Sequence, residues 1–286
     1  RGGYPVIKRK MKQWALRITA YSNRLLEDLN KIDWPSSIKE IQKNWIGKSI
    51  GASIFFKIDK KENASIEVYT TRPDTIFGVT FLVLSPEHPI IKEFIESKNV
   101  SAYVKECKQK TEIERKKSKL INGVFSEMYA LHPITNKKIP IWISDYVLVD
   151  YGTGAIMAVP CGDQRDWSFA NKFDLEIKNI FKGVDISKSA HEEKEIILED
   201  SDFVNGLSSI EASQKIVSFL ESKKLGFSRT NFKQRDAIFS RQRYWGEPFP
   251  VYYEDDIPKI FPDEETPILP EIDEYKPTKE GLPPLA

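Results

Sequence analysis

Apolar residues recur near the N-terminus at Met11, Trp14, Ile18, Tyr21, Leu25 and Leu29, a spacing that places one stripe along a helix. Trp34-Pro35 ends that helix, Ser36 or Ser37 caps a shorter one, and Gly47 and Gly51 mark a change of texture. Beyond them the period falls to two. Ala52, Ile54, Phe56 and Ile58 recur at every second position, the charged KKEN turns the chain, and Ile66 and Val68 resume the alternation, which predicts a hairpin. After FLVLS, Pro89 opens a helix with Ile91, Phe94 and Ile95 on one side, and the mostly charged residues 105–119 read as a solvated helix or loop. The run KKIPIWISDYVLVDYGTGAIMAVP predicts two strands broken by Gly152 and Gly154, and GDQRDWSFANKF predicts the helix that follows. Residues 181–206 are a polar excursion. Ser208 and Glu211 form a capping box for a helix ending near Gly226.

This order gives an α+β protein with a β-rich middle inserted between two flanks. The expected divisions are residues 1–46, residues 47–232 with the excursion around 181–206, and residues 233–286, the last holding a return strand and a proline-rich connector. A length of 286 residues suits about two domains, and 40% apolar residues suffice for a real core. A net charge of +1 argues against a generic polybasic nucleic-acid binder but leaves room for a local basic face. No apolar run approaches the ~18 residues of a membrane span, and no signal-peptide pattern opens the chain. Cys107 and Cys161 share no metal-ligand spacing, and His88, His132 and His191 are scattered. A reduced, cytoplasmic, metal-free protein is the expectation.

Three segments could carry chemistry. In TTRPDT, Thr70–Thr75, Pro73 removes a donor and keeps Arg72 out of the helical region, so a strand must stop or bulge there. Its hydroxyls either satisfy the turn or point into a cavity. In YGTGAIMAVPCGDQRDW, Tyr151–Trp167, Gly-Thr-Gly allows close approach of a ligand or another strand, and no phosphate-loop pattern is present. Asp163 sits where an N-cap would sit and Asp166 follows three residues on; either serves the helix dipole, or one faces a pocket and binds an ammonium group. Met157 and Val159 share a strand face as core or pocket wall. In SRQRYWGEPFP, Arg241, Arg243, Tyr244 and Trp245 suit phosphates or stacked bases, as would an ordinary packed strand with exposed arginines.

Taken in this order, TTRPDTIFGVTFLVLSPEHP, YGTGAIMAVPCGDQRDWSFA and SRQRYWGEP resemble the leucyl-tRNA synthetases, and the flanks MKQWALRITAYSNRLLEDL and NWIGKSIGA extend the resemblance over nearly the whole chain. Asp74 and FGVT look like the leucine enzyme more than its isoleucine and valine relatives. The resemblance implies a β-rich, barrel-like inserted editing domain with peripheral helices, flanked by pieces of a class I aminoacylation domain. The expected activity is deacylation of mischarged tRNA for leucine, with isoleucine, valine or norvaline errors removed and leucyl-tRNA spared.

By the same resemblance Thr75 blocks the leucine side chain, Asp166 holds the α-ammonium, and Thr70, Thr71 and Arg72 line the ester and terminal ribose. Tyr151, Met157 and Val159 shape the pocket, with Asp74 and Asp163 beside them. The implied partner is the 3′ end of that tRNA, with no membrane; editing needs no cofactor, whereas a full-length enzyme would use ATP and magnesium. No HIGH-type or KMSKS-type motif appears, so this chain is expected to be a fragment around the editing insertion, cut near RGG, that does not charge tRNA. Many family members carry a histidine just before Asp-x-Arg-Asp, where this chain has Cys161-Gly162, so no role of that imidazole transfers. Two other readings stand beside this one: a tRNA-end docking module without hydrolysis, and the editing domain of a sister synthetase.

Overall fold

In the computed structural model, which describes residues 14–61, 64–93, 97–109, 114–115, 120–147, 152–238, 250–255 and 257–262, the N-terminal stripe does not form one helix. Ala15–Leu16 (β1) pairs antiparallel with Ala237–Ile238, Ile18–Tyr21 is a 3-10 turn, and only Ser22–Asp28 (α1) is α-helical. The far flank decides this. Asp236 accepts from the Thr19 N–H at 3.2 Å and its hydroxyl at 2.8 Å, and the Ser22 hydroxyl donates to Gln234 at 2.8 Å. Helical period is a weak preference, and strand pairing across the chain overrides it. The second helix, Ser36–Ile46 (α2), has Pro35 rather than a serine at its N-cap, and Gly47, at φ 60°, closes it in the left-handed region.

The chain divides into two compact units, Lys48–Lys233 and the two flanks. Within Lys48–Lys233 the elements are β2 (Lys48–Ile58), β3 (Ser65–Thr70), β4 (Phe81–Leu84), α3 (Lys98–Gln109), β5 (Val124–Leu131), β6 (Lys138–Ile143), β7 (Ala155–Ala158), α4 (Gln164–Lys172), α5 (Ser209–Ser222) and β8 (Gly226–Phe232). The alternation over 52–58 is realised: Ala52, Ile54, Phe56 and Ile58 are all buried, and β2 pairs antiparallel with β3 as a hairpin. The other edge of β2 is shared. β8 runs along it from Lys48 to Ile54, and β5 takes over at Lys57 and Ile58.

Strand order is β3-β2-β5-β6-β4-β7, with β8 also on β2. β4 lies parallel to β6 and antiparallel to β7, and all four of its residues are buried, as expected for a strand covered on both faces. One face holds the main core; the other packs Phe81 and Val83 against Phe169 and Ala170 of α4.

The barrel-like sheet is not closed. β3 and β7, at opposite ends of that order, approach within 8 Å between Cα atoms, but no ladder joins them among the described residues. β3 stops at Thr70, Pro73 sends the chain into a 3-10 turn over Pro73–Gly78, and β7 is four residues long. The sheet therefore stays open at this seam.

The excursion at 181–206 is polar in sequence yet adds Phe181, Leu198 and Val204 to the main core, fastened by single bridges Phe181↔Leu198 and Ile197↔Ser208. The capping box forms as expected, with the Ser208 hydroxyl accepting from the Glu211 N–H and Glu211 reaching back to the Ser208 N–H. Pro89–Glu93 is a 3-10 turn rather than the start of a described α-helix, and Phe94 and Ile95 lie outside the described residues. In the C-terminal flank, Ala237–Ile238 is β9, and Val251–Glu254 (β10) forms a hairpin with Ile257–Ile260 (β11). Arg241, Arg243, Tyr244, Trp245 and the proline-rich residues from 263 onward lie outside the described residues.

Gly51 shows how tightly β2 meets the end of β3. A Cβ there would lie 2.0 Å from the Thr70 carbonyl oxygen, a backbone atom that cannot step aside. Overpacking usually costs about 1–3 kcal/mol, and backbone-on-backbone overlap belongs at the top of that range or beyond. Gly51→Ala is expected to lose at least ~3 kcal/mol of unfolding free energy in urea titration. A loss below ~0.5 kcal/mol would mean that the two strands separate freely there.

Candidate functional site

The hydroxyls of TTRPDT first serve their own turn. Thr70 Oγ1 accepts from the Arg72 N–H at 3.0 Å, and the Thr75 hydroxyl donates to the Arg72 carbonyl at 2.8 Å, the acceptor that also takes the Thr75 N–H at 3.1 Å. Thr71 is the exposed threonine of the three. The Arg72 guanidinium grips Asp74 through Nε, 3.1 Å from both carboxylate oxygens, and through Nη2, 2.8 Å from Oδ2. Asp74 is 1% exposed and also accepts from the Ser213 hydroxyl of α5 at 3.3 Å. A fully enclosed carboxylate with these partners is committed to holding the turn.

Further groups fix the same turn, and sequence reading had not assigned them. Buried His132 bonds the Ile76 carbonyl through Nε2 at 2.9 Å, while Nδ1 accepts from the N–H groups of Ile134 and Thr135 at 3.2 and 3.1 Å. Those two donors require Nδ1 to be the bare nitrogen, so Nε2 carries the proton. Burial holds the His132 pKa below its usual value, which keeps the ring neutral. Lys178 donates to the carbonyls of Phe77 at 3.0 Å and Asp200 at 2.9 Å. The available signal for His132 was its register: it continues the inward alternation of Ala130 by two residues.

The second segment is the end of β7 and the start of α4. Gly152 and Gly154 have φ of 92° and 73°, and a Cβ on Gly152 would meet nothing within 4 Å. At Gly152 the requirement is therefore the left-handed backbone rather than close approach to a neighbour. Met157 and Val159 are buried in the main core, and Tyr151 lies outside the described residues. Asp163 is the α4 N-cap, its Oδ1 accepting from the Arg165 N–H at 2.8 Å and the Asp166 N–H at 3.0 Å.

Asp166 differs from its neighbour. It is 5% exposed, its Oδ2 accepts from the Val159 N–H at 2.9 Å, and its Oδ1 accepts from the Tyr146 hydroxyl at 3.2 Å. Burial, and then the Asp163 charge, push its pKa up to about 7, against the opposing pull of Val159, Tyr146 and Arg165. Such a carboxyl changes charge near neutral pH, a property found at working sites more often than at plain helix caps.

The two segments meet at Gly78, the last residue of the 3-10 turn. A Cβ on it would come within 3.1 Å of Val159 Cγ1 and 3.2 Å of Cys161 Sγ. Val159 thus touches the turn that carries Thr75 and bonds Asp166 through its own N–H. Burial pushes the Cys161 thiol up to about 11, so it stays protonated at neutral pH and packs as part of the main core. Among the described residues no group of histidines, cysteines and carboxylates could hold a metal ion, and no helix is long and apolar enough to cross a membrane.

A family model described as leucyl-tRNA synthetase, editing domain, matches residues 43–221, more than half of the chain. The chain belongs to the leucyl-tRNA synthetase editing-domain family. Its relatives include the leucine–tRNA ligases of Christiangramia forsetii, 53% identical, and Flavobacterium psychrophilum, 50% identical, each matched over 100% of this chain. The chain spans 30% and 32% of the length of those two ligases. Among solved structures, the agnB2 LeuRS of Agrobacterium radiobacter K84, in a ternary complex with tRNA and LeuAMS, is 32% identical with a TM-score of 0.75. That likeness covers 93% of this chain and 31% of the other. In this editing domain the TTRPDT turn, β7 and the first turn of α4 form one locality, joined through Gly78, Val159 and Asp166. Asp74 and Asp163 contribute to it through fixed structural bonds.

Proposed function

We propose that this chain hydrolyses the ester of tRNA for leucine mischarged with another aliphatic amino acid, and spares the leucyl ester. Asp166 is the observation that carries the reading: a buried carboxylate, poised near neutrality, linked through Val159 to the turn that bears Thr75. Ionised, it is suited to hold the α-ammonium of an aminoacyl ester, the one fixed cation such a substrate presents. The exposed Thr71 hydroxyl and the partly exposed Arg72 lie at the strand end where the ester and ribose would approach. Membership of the editing-domain family and the tRNA bound to the Agrobacterium relative support the choice of substrate.

The chemical need follows from a limit on selectivity. A site that accepts leucine discriminates against a chain differing by one methylene by only ~1–3 kcal/mol, so a second, hydrolytic site is required. No covalent nucleophile is needed. An ester is activated, and a held water with hydroxyl and backbone donors at the oxyanion suffices. Thr75 is buried and tied twice to the Arg72 carbonyl, a rigidity that supports a role in excluding the leucine side chain.

The test is release of labelled amino acid from isoleucyl-tRNA and leucyl-tRNA, both on the tRNA for leucine. The protein should speed loss of the isoleucyl ester at least about tenfold over buffer and leave the leucyl ester at its spontaneous rate. If it binds the tRNA yet accelerates neither, the chain is a docking module and the hydrolytic reading fails.

A further inference from the structure

We propose that Tyr146 is a positioning residue for Asp166, its hydroxyl fixing the carboxylate that the deacylation uses; the assignment rests on the function proposed above. Tyr146 follows β6, and its hydroxyl donates to Asp166 Oδ1 at 3.2 Å while the Val159 N–H donates to Oδ2 at 2.9 Å. One oxygen is thus held by the end of β7 and the other by the segment after β6. Both carboxylate oxygens have a fixed donor, so the carboxylate plane is set before any substrate arrives.

The Tyr146 ring is itself located from two sides. Its edge meets Phe169 with ring centres 5.8 Å apart, and the Arg165 guanidinium sits 5.5 Å from its ring centre. Burial, then the Asp166 charge, raise the Tyr146 pKa well above the phenol range, so its hydroxyl remains a donor at every working pH. The titratable and charged groups facing Asp166 are Asp163 and Arg165 from α4, and Tyr146. Asp163 opposes ionisation and is engaged as the cap; Arg165 and Tyr146 favour it, and only Tyr146 does so by a direct hydrogen bond.

Tyr146→Phe removes that hydroxyl and keeps the ring packing. Two measurements test the assignment: a carboxyl carbon-13 NMR titration of Asp166 in the free protein, and the pH profile of kcat/KM for isoleucyl-tRNA. The Asp166 midpoint should rise by about one pH unit, the low end of what a hydrogen bond to a charged group contributes. Deacylation at pH 7 should fall about fivefold and recover above pH 8, once the uncatalysed rate is subtracted. An unmoved midpoint, or a uniform loss of rate at every pH, would overturn the assignment. If the midpoint rises but the parent protein shows no deacylation, Tyr146 still holds Asp166 and the proposed reaction is what falls.

Discussion

Asp166→Asn is expected to abolish deacylation of isoleucyl-tRNA and, at pH 8, to leave a more stable protein than the parent. The first effect is loss of the charge that holds the ammonium. Truncating one member of a desolvated charge pair costs several kcal/mol, so a fall of at least about a hundredfold is expected. The second effect follows from proton linkage. The folded-state pKa of Asp166 is raised to about 7, against ~3.9 for an unfolded aspartate. Its contribution to stability is therefore complete below pH ~4 and is lost as pH rises through 7, a swing on the order of 4 kcal/mol.

Asparagine stays neutral and escapes that loss. Its side-chain oxygen can still accept from the Val159 N–H, so the fold keeps its anchor. His132 works in the opposite direction, since its lowered pKa gives stability that is present above pH ~6.5 and lost as pH falls. Comparing the two proteins at pH 5 and pH 8 by urea unfolding cancels that shared background. Identical pH slopes would mean that Asp166 is not a buried neutral acid in the folded protein. Unchanged deacylation would reduce it to a first-turn carboxylate.

Thr75→Ala is expected to create a new activity rather than remove one. Leucyl-tRNA, spared by the parent, should be hydrolysed at least about tenfold faster by the variant, because removing a side-chain obstacle shifts selectivity by ~1–3 kcal/mol per methylene-sized group. The fold should tolerate the change. The lost hydroxyl bond to the Arg72 carbonyl is worth about 1 kcal/mol, and the Thr75 N–H bond to the same oxygen remains. A variant that still spares leucyl-tRNA while clearing the isoleucyl ester would remove Thr75 from the role of excluding leucine.

What the sequence made legible was local. The two-residue alternation of 52–58 placed Ile54 and Phe56 in the core, Ser208 and Glu211 announced α5, and the Asp163 cap was readable three residues before Asp166. Each of these signals depends on neighbours within one turn or one hairpin. What local pattern did not show came from distant partners. Ala15–Leu16 joined a strand because Ala237–Ile238 lie beside it, and the excursion at 181–206 packed because Phe181 and Leu198 found the main core. The candidate site shows the same division: its threonines and Asp166 stood out as a pattern, but His132, Lys178 and Tyr146 act through contacts 20 or more residues away in sequence.

The pairing of β2 with β8 has a consequence for how this protein is made. Lys48 opens the Lys48–Lys233 unit and pairs with Phe232 near its close, so the Lys48–Ile54 stretch of that edge of β2 has no partner until β8 has been synthesised, although β5 reaches Lys57 and Ile58 earlier. At ~5–20 residues per second that wait is about ten to forty seconds, during which a nascent strand exposes unpaired backbone. Contacts so distant in sequence also slow folding. On the ribosome, β3 is the next strand to emerge, and it covers the opposite edge of β2 early. The edge reserved for β8 over Lys48–Ile54 is then the surface on which a chaperone would act, or from which aggregation would begin.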